Sequence, residues 1–250
     1  MKYKSIIFDL DGTVVPSKLD GMPSEEVIKS VQKLQGKMKL SFATGRSIYT
    51  CRDIEKVFNL TDPCVINGGS QIVNPKTEEV LWEQCLPDNV VENVINISRE
   101  FSEKFIINGI IFEGQANISE FPKIANIIVA LGVRKDNTDY FVGELTKIPD
   151  LAVHILPSWI EGDYWDIHIT HKLATKKYAI EKLIEILGVK KEEVIGIGDG
   201  NNDIALFESV GYKVAMGNAV DVLKNAADYI TDTLENHGFA KFIEEKLSTI

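Results

Sequence analysis

The sequence predicts an α/β fold: a doubly wound parallel sheet with a smaller α+β domain inserted into it. Three observations predict it. A short apolar run, Ser5–Phe8, stops at Asp9, and helix and strand patterns alternate from there to Asn67. The same alternation returns from Lys176 to the C-terminus. Between them, strand patterns follow one another across Pro and Gly turns, as in antiparallel pairing. A chain of 250 residues is long enough for such a core and an insert.

The elements follow in order. Ser5–Phe8 reads as a fully buried strand of a parallel sheet. Residues 24–35 carry Val27, Ile28, Val31 and Leu34 at helical spacing, with Ser24 as N-cap. Lys39–Ala43 is a second strand, a helix starts near Ser47, and Cys64–Ile66 is a third strand ended by Asn67-Gly68-Gly69. In the middle, residues 86–99 read as a helix, 104–113 as one or two strands and 119–131 as a helix with Ile124, Ile127, Ile128 and Leu131 in phase. Residues 140–145, 152–156 and 164–169 read as antiparallel strands. The expected division is therefore 1–82 for the first part of the core, 83–166 for the insert and 167–250 for the second part. In that second part, Lys176–Leu187 reads as a helix closed by Gly188, Val194–Ile197 as a strand and 202–209 as a short helix. A strand at 213–216, a helix at 219–225, a strand at 228–230 and a helix over 237–247 complete it.

Composition narrows the function. The 27 basic and 37 acidic residues leave a net charge of −10. Such a surface repels nucleic acid and anionic membranes. Three cysteines, Cys51, Cys64 and Cys85, form no CxxC pair and no disulfide framework, which points to a reducing, cytoplasmic setting. The N-terminal apolar run is too short for a signal peptide, and no stretch approaches a membrane span.

The chemistry sits at strand ends. Asp9 and Asp11 close the first strand, and residues two apart in an extended chain point the same way. Two adjacent carboxylates suit a hard divalent cation, and equally a solvated strand end with an Asx-turn. Thr44-Gly45-Arg46-Ser47 opens a helix and offers a hydroxyl and N–H groups to a phosphate, or merely an N-cap. Asp199 follows the strand at 194–197, and Asp203 lies one helical turn on. Asp9, Asp199 and Asp203 can then converge on Mg²⁺, which takes oxygen ligands. Lys176 opens its helix against the dipole, which makes sense if it reaches across to an anion; otherwise it belongs to a basic cluster with Lys172 and Lys177. The histidines are His154, His168, His171 and His237. His168 and His171 suggest a metal pair, but a strand running into a loop gives them no fixed geometry.

These motifs, in this order, resemble the haloacid dehalogenase superfamily, and its Cof-like or sucrose-phosphatase-like branch with an α/β cap inserted into a Rossmann-like core. Asp9-Leu10-Asp11-Gly12-Thr13, Thr44-Gly45-Arg46, Asn67-Gly68-Gly69, Lys176 and Gly198-Asp199-Gly200-Asn201-Asn202-Asp203 carry the likeness, with Ala215-Met216-Gly217-Asn218-Ala219 after them. Lys177 stands where the branch usually has glycine, and Leu206 where methionine is common. The resemblance implies a phosphatase with Asp9 as nucleophile and Asp11 as general acid and base. It implies Mg²⁺ held by Asp9, Asp199 and the Asp11 carbonyl, with Asp203 acting through water or orienting Lys176. It also implies phosphate oxygens held by Thr44 and Lys176, with Gly45, Arg46, Asn67 and Asn202 nearby. The expected substrate is a small phosphate ester, most plausibly a sugar or polyol phosphate, read by a cap whose Trp159, Glu161, Asp163, Tyr164 and Trp165 form a polar and aromatic stretch. The expected assembly is a monomer or weak dimer. A phosphomutase and a binding module without chemistry are the alternatives.

Overall fold

The computed structural model describes residues 2–18, 20–158 and 160–250. The first strand, β1 (Ser5–Phe8), is buried along its whole length. An unbroken apolar run requires this, since both faces of a parallel sheet are covered. After it, α1 (Glu25–Leu34) starts at Ser24, whose hydroxyl accepts the Val27 N–H, and buries Val27, Val31 and Leu34. β2 (Lys39–Phe42) pairs in parallel with β1. α2 (Ile48–Phe58) follows and ends at Asn59 in the left-handed conformation, φ 52°. β3 (Cys64–Ile66) meets the end of β2 in one parallel bridge, Ala43 to Val65, then pairs antiparallel with β4 (Gln71–Val73). β5 (Val80–Glu83) completes a three-stranded sheet. The sequence reading contains neither β4 nor β5, because runs this short show no period-2 pattern.

The chain then builds a second unit, Glu83–Thr175. Its helix α3 (Asp88–Ser98) precedes a hairpin of β6 (Lys104–Ile107) and β7 (Ile110–Glu113). Asn108 and Gly109 form the turn with φ 52° and 82°, as a two-residue hairpin loop requires. β8 (Ile128–Arg134), α4 (Lys135–Leu145), β9 (Leu151–Pro157) and β10 (Tyr164–His171) follow. The sheet order is β7-β6-β8-β10-β9, all antiparallel. Phe105, Ile107, Ile128, Ala130, Ile167 and Ile169 face α3 and α4 in one buried cluster with Val91, Val94, Ile95, Phe141 and Leu145.

Three expectations are corrected here. Residues 119–131 are not a helix: a single turn at Ile118–Glu120 leads through irregular chain into β8. Pro122 and the run Ile127-Ile128-Val129 oppose a helix, and β-branched residues favour the pleated surface. Residues 140–145 are not a strand but the end of α4, where Thr138, Phe141 and Leu145 are buried at spacings of three and four. The second unit ends at Thr175 rather than at 166. Asp166 lies inside β10, whose ladder partners on β8 and β9 belong to this unit.

The first unit resumes with α5 (Lys176–Leu187), closed by Gly188 at φ 65°. β11 (Val194–Gly198), α6 (Ile204–Ser209), β12 (Tyr212–Ala215), α7 (Asp221–Ala226), β13 (Tyr229–Ile230) and α8 (Gly238–Lys241) complete it. The expected helix over 237–247 is α-helical only to Lys241; a wider π-type turn follows at Phe242–Lys246. That turn lets the consecutive residues Phe242 and Ile243 both face the core. The main sheet has the order β13-β12-β11-β1-β2, all parallel. From β1 the chain moves outward on one side to β2 and later returns on the other to β11. The switch point therefore lies at the carboxyl ends of β1 and β11, where open α/β sheets bind ligands. Phe8 anchors β1 from below, edge-on to Phe58 at 6.0 Å and Phe239 at 5.2 Å. Among the described residues no helix is long and apolar enough to cross a membrane. Cys51 and Cys64 are buried and unpaired, and Cys85 is half-buried.

Among the described residues of this unit, one buried carboxyl oxygen is left without a hydrogen bond. Glu55 on α2 is 5% exposed, and its Oε1 has no hydrogen bond. Burial pushes its pKa up to about 7, with Glu78 adding and Arg52 opposing. The folded carboxyl binds its proton more tightly than the unfolded one. Its stabilising effect is therefore full below the ordinary glutamate range and is lost as pH rises through about 7. Glu55→Gln removes that dependence. Urea melts of both proteins at about pH 5 and about pH 8 should show the variant gaining on the wild type by on the order of 1–3 kcal/mol across the interval.

Candidate active site

Two neighbouring strands deliver the acidic groups. β1 and β11 run in register, Phe8 opposite Ile197, and the Asp9 N–H donates to the Ile197 carbonyl at 2.9 Å. Asp9 and Asp199 therefore emerge side by side at the carboxyl edge. Asp203 comes from the turn that follows β11. Its Oδ2 accepts the Asp199 and Gly200 N–H groups, both at 3.0 Å. The turn thus closes on its own carboxylate through Oδ2, which leaves Oδ1 for Lys176.

Lys176 binds these two acids together. Its Nζ donates to Asp9 Oδ1 at 2.7 Å and to Asp203 Oδ1 at 2.5 Å. The exposures are 7% for Lys176, 3% for Asp9 and 0% for Asp203. Burial opposes the Lys176 charge, but Asp203 and Asp9 outweigh it and hold its pKa above the ordinary lysine value. Burial and Asp203 push Asp9 upward, against Lys176. Among the described residues nothing donates to the other Asp9 oxygen, Oδ2.

Asp199 is fixed by the loop after β1. Thr13 Oγ1 donates to its Oδ1 at 2.7 Å. Gly12, at φ 79°, passes so close that a Cβ there would lie 2.1 Å from Asp199 Oδ2. Only glycine fits, by space and by backbone conformation. Asn218 Nδ2 donates to the Gly12 carbonyl and its Oδ1 accepts the Leu234 N–H, each at 2.9 Å. Burial pushes Asp199 up to about 6, with the Thr13 bond opposing and Asp203 adding. The sequence reading assigned no role to Thr13 or Asn218. The bonds of Thr13 to Asp199 and of Asn218 to Gly12 join residues 186 and 206 positions apart, and no local pattern signals them.

The remaining candidates fall into two groups. Thr44 is buried at the end of β2, and its Oγ1 accepts the Arg46 N–H at 3.2 Å. Gly45 is exposed, with open space where a side chain would start. Arg46 turns its guanidinium onto Asp11: Nε donates to Oδ2 at 2.9 Å and Nη2 to Oδ1 at 2.6 Å. Arg46 Nη2 also reaches the Lys18 carbonyl at 2.8 Å. Asn67 is buried at φ 51°; its amide donates to Gln71 Oε1 at 2.8 Å, and its N–H ties back to the Arg46 carbonyl at 2.8 Å. Asn202 is exposed and folds over Gly200. The structure thus gathers Asp9, Asp199, Asp203 and Lys176 in one cluster. It pairs Arg46 with Asp11, and it spends the Asn67 side chain on Gln71. Trp159 lies outside the described residues.

The donor set fits a hard divalent cation. Ligand oxygens of Asp9, Asp199 and Asp203 lie within 4.8 Å of one another. Three carboxylates face one ammonium, so negative charge is in excess, and burial raises Asp9 and Asp199. An oxygen-seeking cation relieves that excess. No thiol or imidazole joins the set, which disfavours zinc.

Comparison with known proteins adds the relatives. The family model described as haloacid dehalogenase-like hydrolase matches residues 6–127 and 115–243. The chain is 29% identical over 248 residues to a 5-amino-6-(5-phospho-D-ribitylamino)uracil phosphatase of Bacillus subtilis, covering 96% of this chain and 94% of that one. It is 45% identical over 89 residues to phosphoglycolate phosphatase 1 of Saccharolobus solfataricus, a stretch of 36% of this chain and 39% of that one. In structure it is similar to a haloacid dehalogenase-like hydrolase from Bacteroides thetaiotaomicron, with TM-score 0.82 and 24% identity over 97% of this chain and 98% of that one.

Removing one partner of a buried ion pair leaves a stranded charge and costs about 3–5 kcal/mol. Lys176→Met should destabilise the protein by about that amount in urea unfolding without Mg²⁺. The loss should shrink in a background already carrying Asp203→Asn, because only one carboxylate is then stranded.

Proposed function

This chain belongs to the haloacid dehalogenase-like hydrolases and is a phosphatase, and we propose that it is a Mg²⁺-dependent phosphomonoesterase working through a phosphoaspartate on Asp9. The observation that carries the reading is the state of Asp9. Lys176 and burial hold it rigidly by Oδ1 at the switch point, while Oδ2 has no donor among the described residues. A carboxylate oxygen held this way is a preorganised nucleophile.

The proposed reaction has two displacements. An Asp9 oxygen attacks phosphorus in line, the phosphorus–oxygen bond to the leaving group breaks, and Asp11 gives that oxygen its proton. Water then attacks the phosphoaspartate, Asp11 takes a proton from it, and phosphate leaves as the aspartyl bond breaks. Lys176 and Thr44 hold the equatorial phosphoryl oxygens. Asp203 acts by orienting Lys176, as its hydrogen bonds support. Mg²⁺, held by Asp9, Asp199 and the Asp11 carbonyl, supplies charge neutralisation when bound. Arg46 sets the position of the Asp11 carboxylate through two hydrogen bonds.

The proposed substrate is a small phosphorylated metabolite, a sugar or polyol phosphate, with the insert reading its leaving group. The relative matched over nearly its whole length acts, by its name, on a phosphoribityl compound, which is a polyol phosphate. The acidic chain supports a small substrate over nucleic acid.

The purified chain should release phosphate from 4-nitrophenyl phosphate with Mg²⁺ and not with a chelator. Asp9→Asn should lose at least about 10³-fold in kcat with an unchanged circular dichroism spectrum. Undiminished turnover in Asp9→Asn ends the nucleophile assignment. Across a panel of esters, polyol and sugar phosphates should exceed nucleotides by about tenfold in kcat/KM, about 1.4 kcal/mol of transition-state preference; the reverse order would sink the substrate class.

A further inference from the structure

The second unit holds a histidine pair to which the proposed catalytic steps assign no role. His168 and His171 are separated by the structure. They are three residues apart on β10, so they point to opposite faces. His171 spends its Nδ1 on the Leu173 N–H at 3.1 Å. The residue that meets His168 is His154, directly opposite it in the β10–β9 ladder.

Which face the pair occupies follows from its neighbours. Ile167 and Ile169 flank His168, and both are fully buried against the helices. His168 and its cross-strand partner therefore stand on the face of the sheet turned away from α3 and α4. Val129, 6% exposed, lies opposite His168 on the other side, on β8. Leu156 follows His154 on the same face of β9. Two imidazoles thus stand side by side next to apolar neighbours, and no hydrogen bond is made by either ring among the described residues. His154 is exposed and His168 partly covered, so both rings are open to a ligand from solvent. Asp166, on the same face two residues along, accepts the Gly132 N–H at 2.9 Å through Oδ1. It does not converge with the two rings, since Asp9, Asp199 and Asp203 are the only set of three that does so among the described residues.

We propose that His154 and His168 form a two-imidazole chelate for a borderline divalent cation of the Zn²⁺ or Ni²⁺ class, with water completing its coordination. Directly opposed residues have Cβ atoms about 4.5–5.5 Å apart. That spacing lets two rings reach one ion at about 2.0–2.1 Å from each nitrogen. The chemistry separates this site from the carboxylate cluster: imidazole selects borderline metals and carboxylate selects Mg²⁺. Burial lowers the proton affinity of both rings; at His168 the Asp166 carboxylate opposes this and His154 adds to it, and the net fall leaves the nitrogens open to a metal. The site does not depend on the proposed phosphatase reaction.

The test uses the full chain with Mg²⁺ in large excess, so that the carboxylate cluster is occupied. Calorimetric titration with Ni²⁺ should show one site. His154→Ala and His168→Ala should each weaken it at least about tenfold, or 1.4 kcal/mol, while His171→Ala should leave it within about twofold. His168→Gln, which keeps a polar side chain of similar reach, should lose binding like the alanine variant and serves if that one fails to fold. In the wild type Ni²⁺ should broaden the Val129 methyl resonances, and in His154→Ala it should not. Absence of a Ni²⁺ site in the wild type, or binding that survives both His154→Ala and His168→Gln, would overturn the proposal.

Discussion

One buried ammonium organises the first unit. Lys176 lies between Asp9 and Asp203, and each of the three would be costly to bury alone. The interaction fixes where α5 begins, because its first residue must reach two strand-end carboxylates at once. It also fixes the loops. The turn after β11 must curl so that Asp203 meets both Lys176 and its own backbone N–H groups. Gly198 is part of that constraint, since a Cβ there would lie 2.6 Å from Asp203 Cγ. Gly12 plays the same part for Asp199. The glycines in these motifs are thus the space that close-packed carboxylates require.

The ion cluster also explains how so acidic a chain can take a phosphate. A net charge of −10 repels anions at long range. Within the site, one lysine meets three carboxylates, and on the proposed reading a bound cation completes the attraction for a dianion. The arrangement suits chemistry in which charge moves between phosphate and carboxylate, because the groups that meet it are already fixed. The two hydrogen bonds of Arg46 to Asp11 position the one acid that is not in the cluster.

The second unit obeys local rules less strictly, and reading it from sequence is correspondingly harder. Ile124, Ile127, Ile128 and Leu131 keep helical phase, yet Ile128 and Leu131 lie in a strand whose inward positions are Ile128, Ala130 and Val133. Apolar runs of this length satisfy either period, and pairing with β6 and β10 decides between them. In α4 the aromatic and β-branched residues of 140–142 imitate a strand, while the burial of Phe141 and Leu145 under one face makes the helix. Tertiary packing outweighs local propensity in both places.

The sequence by itself determined the parallel core, the order of its strands along the chain and the acids at their ends. Asp9, Asp199, Asp203 and Lys176 were legible because each directly follows or opens an element with a strong pattern, and an open α/β sheet collects strand ends at one edge. Only the tertiary structure decided the partners. That Thr13 bonds Asp199, that Asn218 bridges Gly12 and Leu234, that Asn67 is spent on Gln71 and that His168 faces His154 are all facts of register and loop closure. The physical reason is range. Burial and period act through neighbours in sequence, whereas a hydrogen bond joining residues 13 and 199 exists only once both strands are in place.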